Sequence, residues 1–239
     1  MPRGKVDGQP AYVLHTRAYR ETSLLVEAFS RDYGRVALLA RGARRPHSSL
    51  RGLLMGFQPL EVSWSGKGEV LTLMKAEWQG GQPLLAGLPL FCGYYLNELL
   101  LRLLPREDPH LQLFDRYVQI LLHLGYSSRK QVAEADLRCF ERTLLGELGY
   151  GLTLDHDWQG QPIVADGFYR YEIEHGPVPV QEEMSGVIAG QTLLDMGQDD
   201  YSRAGTRLEA KQLMRRLLAH YLDGVELESR KLVKELQDL

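Results

Sequence analysis

The apolar residues of this 239-residue chain change their periodicity once, and that change constrains the fold more than any other feature. Up to about residue 80 they alternate with a period of two, as in "ETSLLVEAF", and turn residues separate the runs. From Leu84 onward they follow helical spacing, as in "LPLFCGYYLNELLLRLLP". The sequence therefore predicts a β domain at residues 1–80 and a helical domain at residues 81–239.

The first 80 residues contain five strand-like runs, and a long irregular segment separates the third run from the fourth. The last two runs predict a hairpin that bends at residues 65–68. Five short strands suit a small closed barrel better than an open sheet, because closure leaves no bare strand edges. The strand count and the long middle connection favour an OB-fold over an SH3-like barrel.

The second domain is predicted to be mostly helical. Its third helix begins at a candidate capping box formed by Ser128 and Gln131. The segment "QPIVADGFYRYEIEHG" interrupts the helical pattern and predicts a β-hairpin near residues 160–176, with its turn at Asp166 and Gly167. Helices resume with "EEMSGVIAGQTLLDM". The predicted class is α+β, an N-terminal five-stranded OB-fold barrel followed by an α-helical domain with a small β excursion.

Positive charge is concentrated in the β domain, although the whole chain has a formal net charge of −3. The irregular segment holds four arginines within "RGARRPHSSLR", and like charges in one loop repel each other unless an anion lies between them. OB-type barrels bind single strands by a cationic groove along the phosphates and by aromatic rings under the bases. We therefore predict a nucleic-acid ligand. The predicted binding residues are Arg17, Arg20, Arg35, Arg41, Arg44, Arg45, Arg51, Lys67 and Lys75. The candidate stacking rings are Tyr12, Tyr19, Tyr33, Phe57 and Trp64, several of which must instead fill the core.

Catalytic and cofactor motifs are missing from the sequence, which has no G-x-S-x-G elbow, P-loop or G-x-G-x-x-G. Only Asp155, His156 and Asp157 place a histidine among carboxylates. Adjacent residues on an extended segment point in opposite directions, so a polar turn is favoured over a metal site. Cys92 and Cys139 are the only cysteines, and both are predicted to be buried free thiols. We expect no enzymatic activity, no cofactor and no bound metal.

The segment "YVLHTRAYRETSLLVEAFSRDYGRVALLARGARRPHSSLRGLLMGFQPLEV" resembles the N-terminal signature of the RecO family of recombination mediators. "YYLNELLLRLLP", "LRCFERTLLGELGYGL" and "LESRKL" resemble later segments of that family in the same order, so the resemblance extends from Tyr12 to Leu232. The chain departs from the family twice. It cannot form the four-cysteine zinc site of many relatives, and Asp157 stands where a cysteine often follows the L-G-Y segment. Glu228, rather than the usual lysine, precedes Ser229 near the C-terminus.

The resemblance implies an OB-fold, a helical C-terminal domain and no enzymatic turnover. Members of the family bind single- and double-stranded DNA and anneal complementary strands. They act with RecR, often with RecF, to load RecA onto strands coated by SSB. No window is apolar enough to span a membrane, and the N-terminus has no signal-peptide core, so a cytoplasmic, nucleoid-associated protein is expected.

The acidic tail of SSB ends in a hydrophobic residue with a free carboxylate, and its receptor needs an apolar notch beside a fixed cation. The resemblance implies that Arg138, in the L-R-x-F-E block, binds the carboxylate, with Arg142 one turn further on. Tyr117 and Leu121 on the preceding helix are the expected opposite wall. The alternative is that Arg138 pairs with a nearby glutamate on an exposed helix face.

Two other functions remain open from the residues. The chain is a protein-interaction scaffold if its basic loop binds an acidic partner and DNA has no role. It is a metal-dependent nuclease if Asp155, His156 and Asp157 hold a divalent ion. A steep dependence of DNA affinity on salt separates the first function from DNA binding, and ion-dependent cleavage identifies the second.

Overall fold

The computed structural model of the chain describes residues 4–126, 130–181 and 186–237. These residues form two compact units, which divide the chain elsewhere than at the predicted boundary of 80/81. The first unit comprises Met1–Ser128 together with Leu227–Leu239, and the second comprises Arg129–Glu226. Two helices that follow the β domain therefore belong to the same unit as the strands. The predicted capping box at Ser128 lies outside the described residues.

The first unit begins with five strands that form a closed barrel. The strands are β1 (Val6–Tyr19), β2 (Ser23–Ser30), β3 (Gly34–Ala40), β4 (Pro59–Ser65) and β5 (Val70–Trp78). Their order around the barrel is β1-β2-β3-β5-β4, in which β3 and β5 are parallel and all other neighbours are antiparallel. This arrangement confirms the predicted OB-fold, and the β4–β5 hairpin bends where the sequence predicts.

Three helices complete the first unit, namely α1 (Leu88–Leu103), α2 (Leu111–Tyr126) and α6 (Glu228–Gln237). A buried polar link joins α1 to both the barrel and α2. The Asn97 side chain donates a hydrogen bond to the Leu14 carbonyl at 2.9 Å, and the Tyr117 hydroxyl donates one to Asn97 Oδ1 at 2.6 Å. Burial raises the pKa of the Tyr117 hydroxyl well above its ordinary value, so this group remains a hydrogen-bond donor.

Apolar side chains cover both faces of the first two strands. Val26 and Ala28 of β2 face the barrel interior, which they fill together with Trp64 of β4. On the outer face, the Phe29 ring lies 5.2 Å from the Phe114 ring of α2. Residues of β2 are therefore buried on alternate sides by two different cores, one inside the barrel and one beneath α2.

The second unit consists of α3 (Lys130–Glu147), β6 (Phe168–Glu172), β7 (Gly176–Val180), β8 (Val187–Ala189), α4 (Gly190–Gly197) and α5 (Ala204–Tyr221). Its three strands form one sheet in the order β7-β6-β8. Among the described residues, no helix is both long and apolar enough to cross a membrane.

The hairpin of this sheet lies later in the chain than predicted. Its strands flank residues 173–175 rather than Asp166 and Gly167, because Glu174 (φ 69°) and Gly176 (φ 85°) adopt the left-handed backbone conformation that the turn requires. The Gly167 N–H instead donates to the Val164 carbonyl in a turn that precedes β6. Strand β8 also corrects the prediction, since it lies in a segment that we expected to be helical throughout.

Candidate nucleic-acid interface

The arginine-rich segment is the connection between β3 and β4, and its first turn is fixed against the β1–β2 turn. The Arg44 backbone N–H donates a hydrogen bond to the Thr22 carbonyl at 2.8 Å. The Arg44 guanidinium donates to the Arg20 carbonyl at 3.4 Å. Two backbone segments that are distant in sequence thus present their arginines at one end of the barrel.

The cationic groups at this end form a cluster that we call the barrel-end cluster. All of its members are solvent-exposed, and they make no ion pair within the described part of the chain. Such a group of unneutralised charges repels itself, and a phosphate backbone would relieve that repulsion. The cluster comprises Arg17, Arg20, Arg41, Arg44 and Arg45. Arg51 is also exposed, and it lies further along the same connection.

The other three predicted DNA-binding residues lie apart from the barrel-end cluster. Arg35 is half-buried and donates to the Leu101 carbonyl, and burial lowers the pKa of its guanidinium. Lys67 lies towards the opposite end of the barrel, because it precedes the paired residues of β3 and β5 whereas Arg41 follows them. The Lys75 ammonium contacts the Glu77 carboxylate at 2.8 Å, and this hydrogen bond is the main reason that the pKa of Lys75 is raised.

Only one of the candidate stacking rings is both exposed and next to the cluster. Tyr19 is 39% exposed, and the Arg20 guanidinium lies 5.3 Å from the centre of its ring. Tyr12, Phe57 and Trp64 are buried. Tyr33 is half-buried and packs edge-on against the Trp64 ring. Tyr19 is therefore the barrel aromatic that is best placed to stack on a base beside the arginines.

Arg138 and Arg142 lie in the second unit, on α3. Arg138 is buried and pairs with the fully buried Glu141, so this pair is present but not on an exposed face. Its Nε and Nη1 atoms are buried without a hydrogen-bond partner in the described structure. Arg142 donates to the Met196 carbonyl and, at 2.6 Å, to Asp199 Oδ1. These two N–H groups are donors for a carboxylate, but they are buried, so a ligand reaches them only where neighbouring side chains move aside.

Tyr117 and Leu121 were predicted to form the wall opposite Arg138. Tyr117 and Leu121 lie on α2 in the first unit, and both are fully buried. Their side chains contribute to the packing of α2, and as they stand they offer no surface to a peptide.

The segment of Asp155, His156 and Asp157 forms a polar turn. Asp157 is buried, and its Oδ1 accepts hydrogen bonds from the backbone N–H groups of Gln159 and Gln161 at 2.9 and 2.8 Å. His156 contacts the Asp155 carboxylate at 2.7 Å. In the ranges that the structure describes, no group of three or more histidine, cysteine or acidic side chains is placed to hold a metal ion. Both cysteines of the chain are buried and are not joined in a disulfide, as predicted.

Two family models match the amino-acid sequence. The model for the N-terminal part of recombination protein O matches residues 8–81, and the model for its C-terminal part matches residues 87–231. The chain belongs to the RecO family. It is 64% identical over 239 residues to the DNA repair protein RecO of Dechloromonas aromatica, and the match covers 99% of each chain.

Other RecO proteins are similar over the same span. The RecO of Aromatoleum aromaticum is 56% identical over 238 residues, and that of an Azoarcus species is 53% identical over 241 residues, with 98% of each chain covered in both cases. The RecO N-terminal model ends just after the barrel closes. The protein is therefore a RecO-family DNA repair protein, with the barrel-end cluster in its N-terminal part.

The ion pair between Lys75 and Glu77 was not predicted from the sequence. The signal was present, because Lys75 and Glu77 are two residues apart in a predicted strand and so project from the same face. The role of Thr22 was not recognisable in the same way. Its carbonyl fixes Arg44 through backbone geometry, which side-chain identity does not encode.

Proposed function

We propose that this RecO-family protein is a recombination mediator that acts without enzymatic turnover. It binds single- and double-stranded DNA, anneals complementary strands and, with RecR and in some settings RecF, helps to load RecA onto single strands coated by SSB. It works in the cytoplasm, associated with the nucleoid. The observation that carries the proposal is the barrel-end cluster, five exposed arginines on an OB-fold that have no carboxylate partner among the described residues.

Annealing of this kind needs no reacting group from the protein. Two complementary strands repel each other through their phosphates, and arginines that neutralise those phosphates lower the repulsion until base pairing takes over. The planar guanidinium suits this role because it donates to phosphate oxygens in a bidentate manner. Tyr19 adds a ring beside the arginines on which one base of a single strand can stack.

Recruitment to SSB-coated DNA is assigned to the second unit. Arg138 supports this assignment because two of its buried nitrogen atoms have no partner among the described residues, and a terminal carboxylate would satisfy them. Arg142 is held by Met196 and Asp199, so its role is to fix the surrounding backbone rather than to bind the peptide. The peptide site and the DNA site are thus assigned to different units of the chain.

A strand-annealing assay tests the proposal. Two complementary labelled oligonucleotides are mixed with the full-length protein, once naked and once coated with SSB, over a series of salt concentrations. Acceleration is expected on both substrates, and the logarithm of DNA affinity should fall linearly with the logarithm of salt. DNA affinity that does not change with salt, or annealing no faster than that of the naked strands at low salt, would contradict it.

A further inference from the structure

The second half of β1 has one unpaired edge. On one side β1 pairs with β2 from Ala11 to Tyr19, but on the other side it pairs with β4 only as far as Tyr12. An isolated bridge from Val13 to Gly56 follows, and Asn97 then binds the Leu14 carbonyl. Beyond this point, in the described residues, no backbone group pairs with residues 15–19 on that edge. Alternate N–H and carbonyl groups of this stretch therefore point outward, with no partner in the part of the chain that the structure describes.

A cleft of about 330 Å³ lies beside this edge. Most of the side chains that line it are apolar, and polar atoms make up about half of its surface. Leu14 and Thr16 of β1 line the cleft, together with Met55, Leu84 and Tyr94. Those last three side chains are 51%, 73% and 49% exposed, which makes an apolar surface next to a bare strand edge. The cleft lies at the small end of the range of ligand pockets, with room for few apolar side chains.

The wall of the cleft is closely packed. The Phe57 ring lies 5.2 Å from the Tyr94 ring, and a Cβ atom at position 93 would come within 2.8 Å of the Phe57 ring. Gly93 therefore allows helix α1 to approach the β3–β4 connection at this point. A wall of this kind keeps its shape when a ligand binds, and this lowers the entropic cost of binding.

Positive charge borders the edge. Arg17 lies on the unpaired stretch itself, and Arg20 lies at its end, where the rest of the barrel-end cluster begins. An added strand that carries acidic side chains would be attracted, whereas the same edge of a second copy would bring Arg17 and Arg20 against like charges. The charge therefore selects an acidic segment of another protein over a symmetric dimer.

We propose that residues 15–19 of β1 form a β-augmentation site for an extended acidic segment of a partner protein, which places an apolar side chain in the cleft next to Met55 and Tyr94. Backbone pairing supplies the affinity, the cleft selects an apolar side chain, and the arginines select acidic flanking residues. The site extends beyond DNA binding but shares Arg17 and Arg20 with it. A segment bound here competes with DNA for those two cations.

The experiment uses the full chain and a fluorescent peptide of alternating Asp and Leu residues, seven residues long. A second peptide of the same sequence is N-methylated at alternate amides, which preserves charge and side chains but prevents strand pairing. The first peptide should bind and protect the amides of residues 15–19 from hydrogen exchange, and the N-methylated peptide should bind at least about tenfold more weakly. Equal binding of the two peptides, or protection elsewhere only, would overturn the proposal.

Two matched variants locate the binding site on the protein. Met55→Glu introduces a negative charge into the cleft. It should weaken binding of the first peptide about tenfold, because the new carboxylate faces an acidic ligand at close range. Met74→Glu adds the same charge at a 61% exposed position on β5 and should bind the peptide like the parent. Equal effects of both variants, or a parent that forms dimers in which residues 15–19 are protected without peptide, would also overturn the proposal. Displacement of a labelled oligonucleotide by the first peptide tests the competition separately.

Discussion

The Glu98 carboxylate of α1 accepts two hydrogen bonds from Ser229, one from the backbone N–H at 2.9 Å and one from the hydroxyl at 2.7 Å. It also accepts the backbone N–H of Glu228 at 2.9 Å, so a side chain from a distant helix satisfies the first turn of α6. The next residue, Arg230, donates to the Tyr95 hydroxyl at 3.1 Å and lies over the Tyr95 ring. The Ser-Arg pair of the C-terminal signature therefore attaches α6 to α1.

Replacing Glu98 by Gln tests this attachment. The amide oxygen still accepts hydrogen bonds, but the bonds are no longer charge-assisted, so we expect α6 to lose ~1 kcal/mol of local stability. Hydrogen exchange at the α6 amides should accelerate about fivefold, while exchange in the barrel strands stays the same. Glu69→Gln is the control, since Glu69 is an exposed glutamate of the β4–β5 bend, and it should leave α6 unchanged.

Acid should release α6 for the same reason. Burial alone would raise the pKa of Glu98, but the hydrogen bonds from Ser229, Glu228 and Arg102 together outweigh it and lower the pKa from its ordinary 4.5. A carboxylate with a lowered folded-state pKa stabilises the fold fully above 4.5, and it loses this contribution as the pH falls through the lowered value. Exchange of α6 amides, corrected for intrinsic rates, should therefore rise below pH 4.5 in the parent. The Glu98→Gln variant should show no such rise, and an identical rise in both proteins would contradict the assignment.

The barrel-end cluster makes a prediction about salt dependence. Changing Arg41, Arg44 and Arg45 together to Ala should weaken binding to all DNA sequences about equally and reduce the salt slope by roughly one unit per lost contact. Changing Lys67 and Lys75 to Ala should have a much smaller effect, because Lys75 is already paired and Lys67 lies away from the cluster. Fluorescence anisotropy over a salt series measures both slopes, and circular dichroism checks that both variants are folded. Equal salt slopes in the two variants would contradict the assignment of the barrel-end cluster to the DNA interface.

Tyr19 is expected to distinguish single strands from duplexes. Tyr19→Ala removes a stacking ring, which should cost ~1–3 kcal/mol of affinity for a single-stranded oligonucleotide and much less for a duplex, whose bases are already stacked. Tyr19→Phe keeps the ring and should bind both like the parent. If Tyr19→Ala weakens the binding of single strands and of duplexes equally, the Tyr19 ring does not stack on a base and only positions Arg20.

Arg138 is expected to affect the binding of SSB but not of DNA. Arg138→Ala should weaken binding of a labelled SSB-tail peptide by ~1.5–3 kcal/mol, the range for a lost charged hydrogen bond. DNA affinity should be unchanged, since the DNA site is assigned to the other unit. Arg138→Ala also leaves Glu141 buried without this partner, so Arg138→Lys, which keeps a cation, serves as the fold control. Parent-like peptide binding by the folded Ala variant would place the tail site elsewhere.

Strand positions were predictable from the sequence because an OB barrel with turn residues at its bends leaves a clear period-two pattern. The two cores around β2 were not predictable. Leu25 and Phe29 belong to the same alternating pattern as Val26, yet they are buried on the other face, and nothing in the pattern indicates that a helix covers that face.

The candidate site was predictable in outline only. The sequence identified the arginines, but whether a given cation is exposed depends on distant partners, as the contact between Arg35 and the Leu101 carbonyl shows. The late position of the β6–β7 hairpin has a similar origin. Asp-Gly is the stronger local turn signal, but the turn at Glu174 is the one that lets β6 pair with both β7 and β8.

The attachment of α6 to α1 has a consequence for how the chain folds. Because α6 belongs to the first unit, the second unit is an insertion whose two ends are both anchored in the first. When α6 binds α1, it closes a loop of roughly a hundred residues, and the entropic cost of that closure grows only slowly with loop length. A nascent chain emerging from the ribosome exposes the capping site at Glu98 long before Ser229 has been synthesised. The first unit is therefore completed only after the whole second unit has been synthesised.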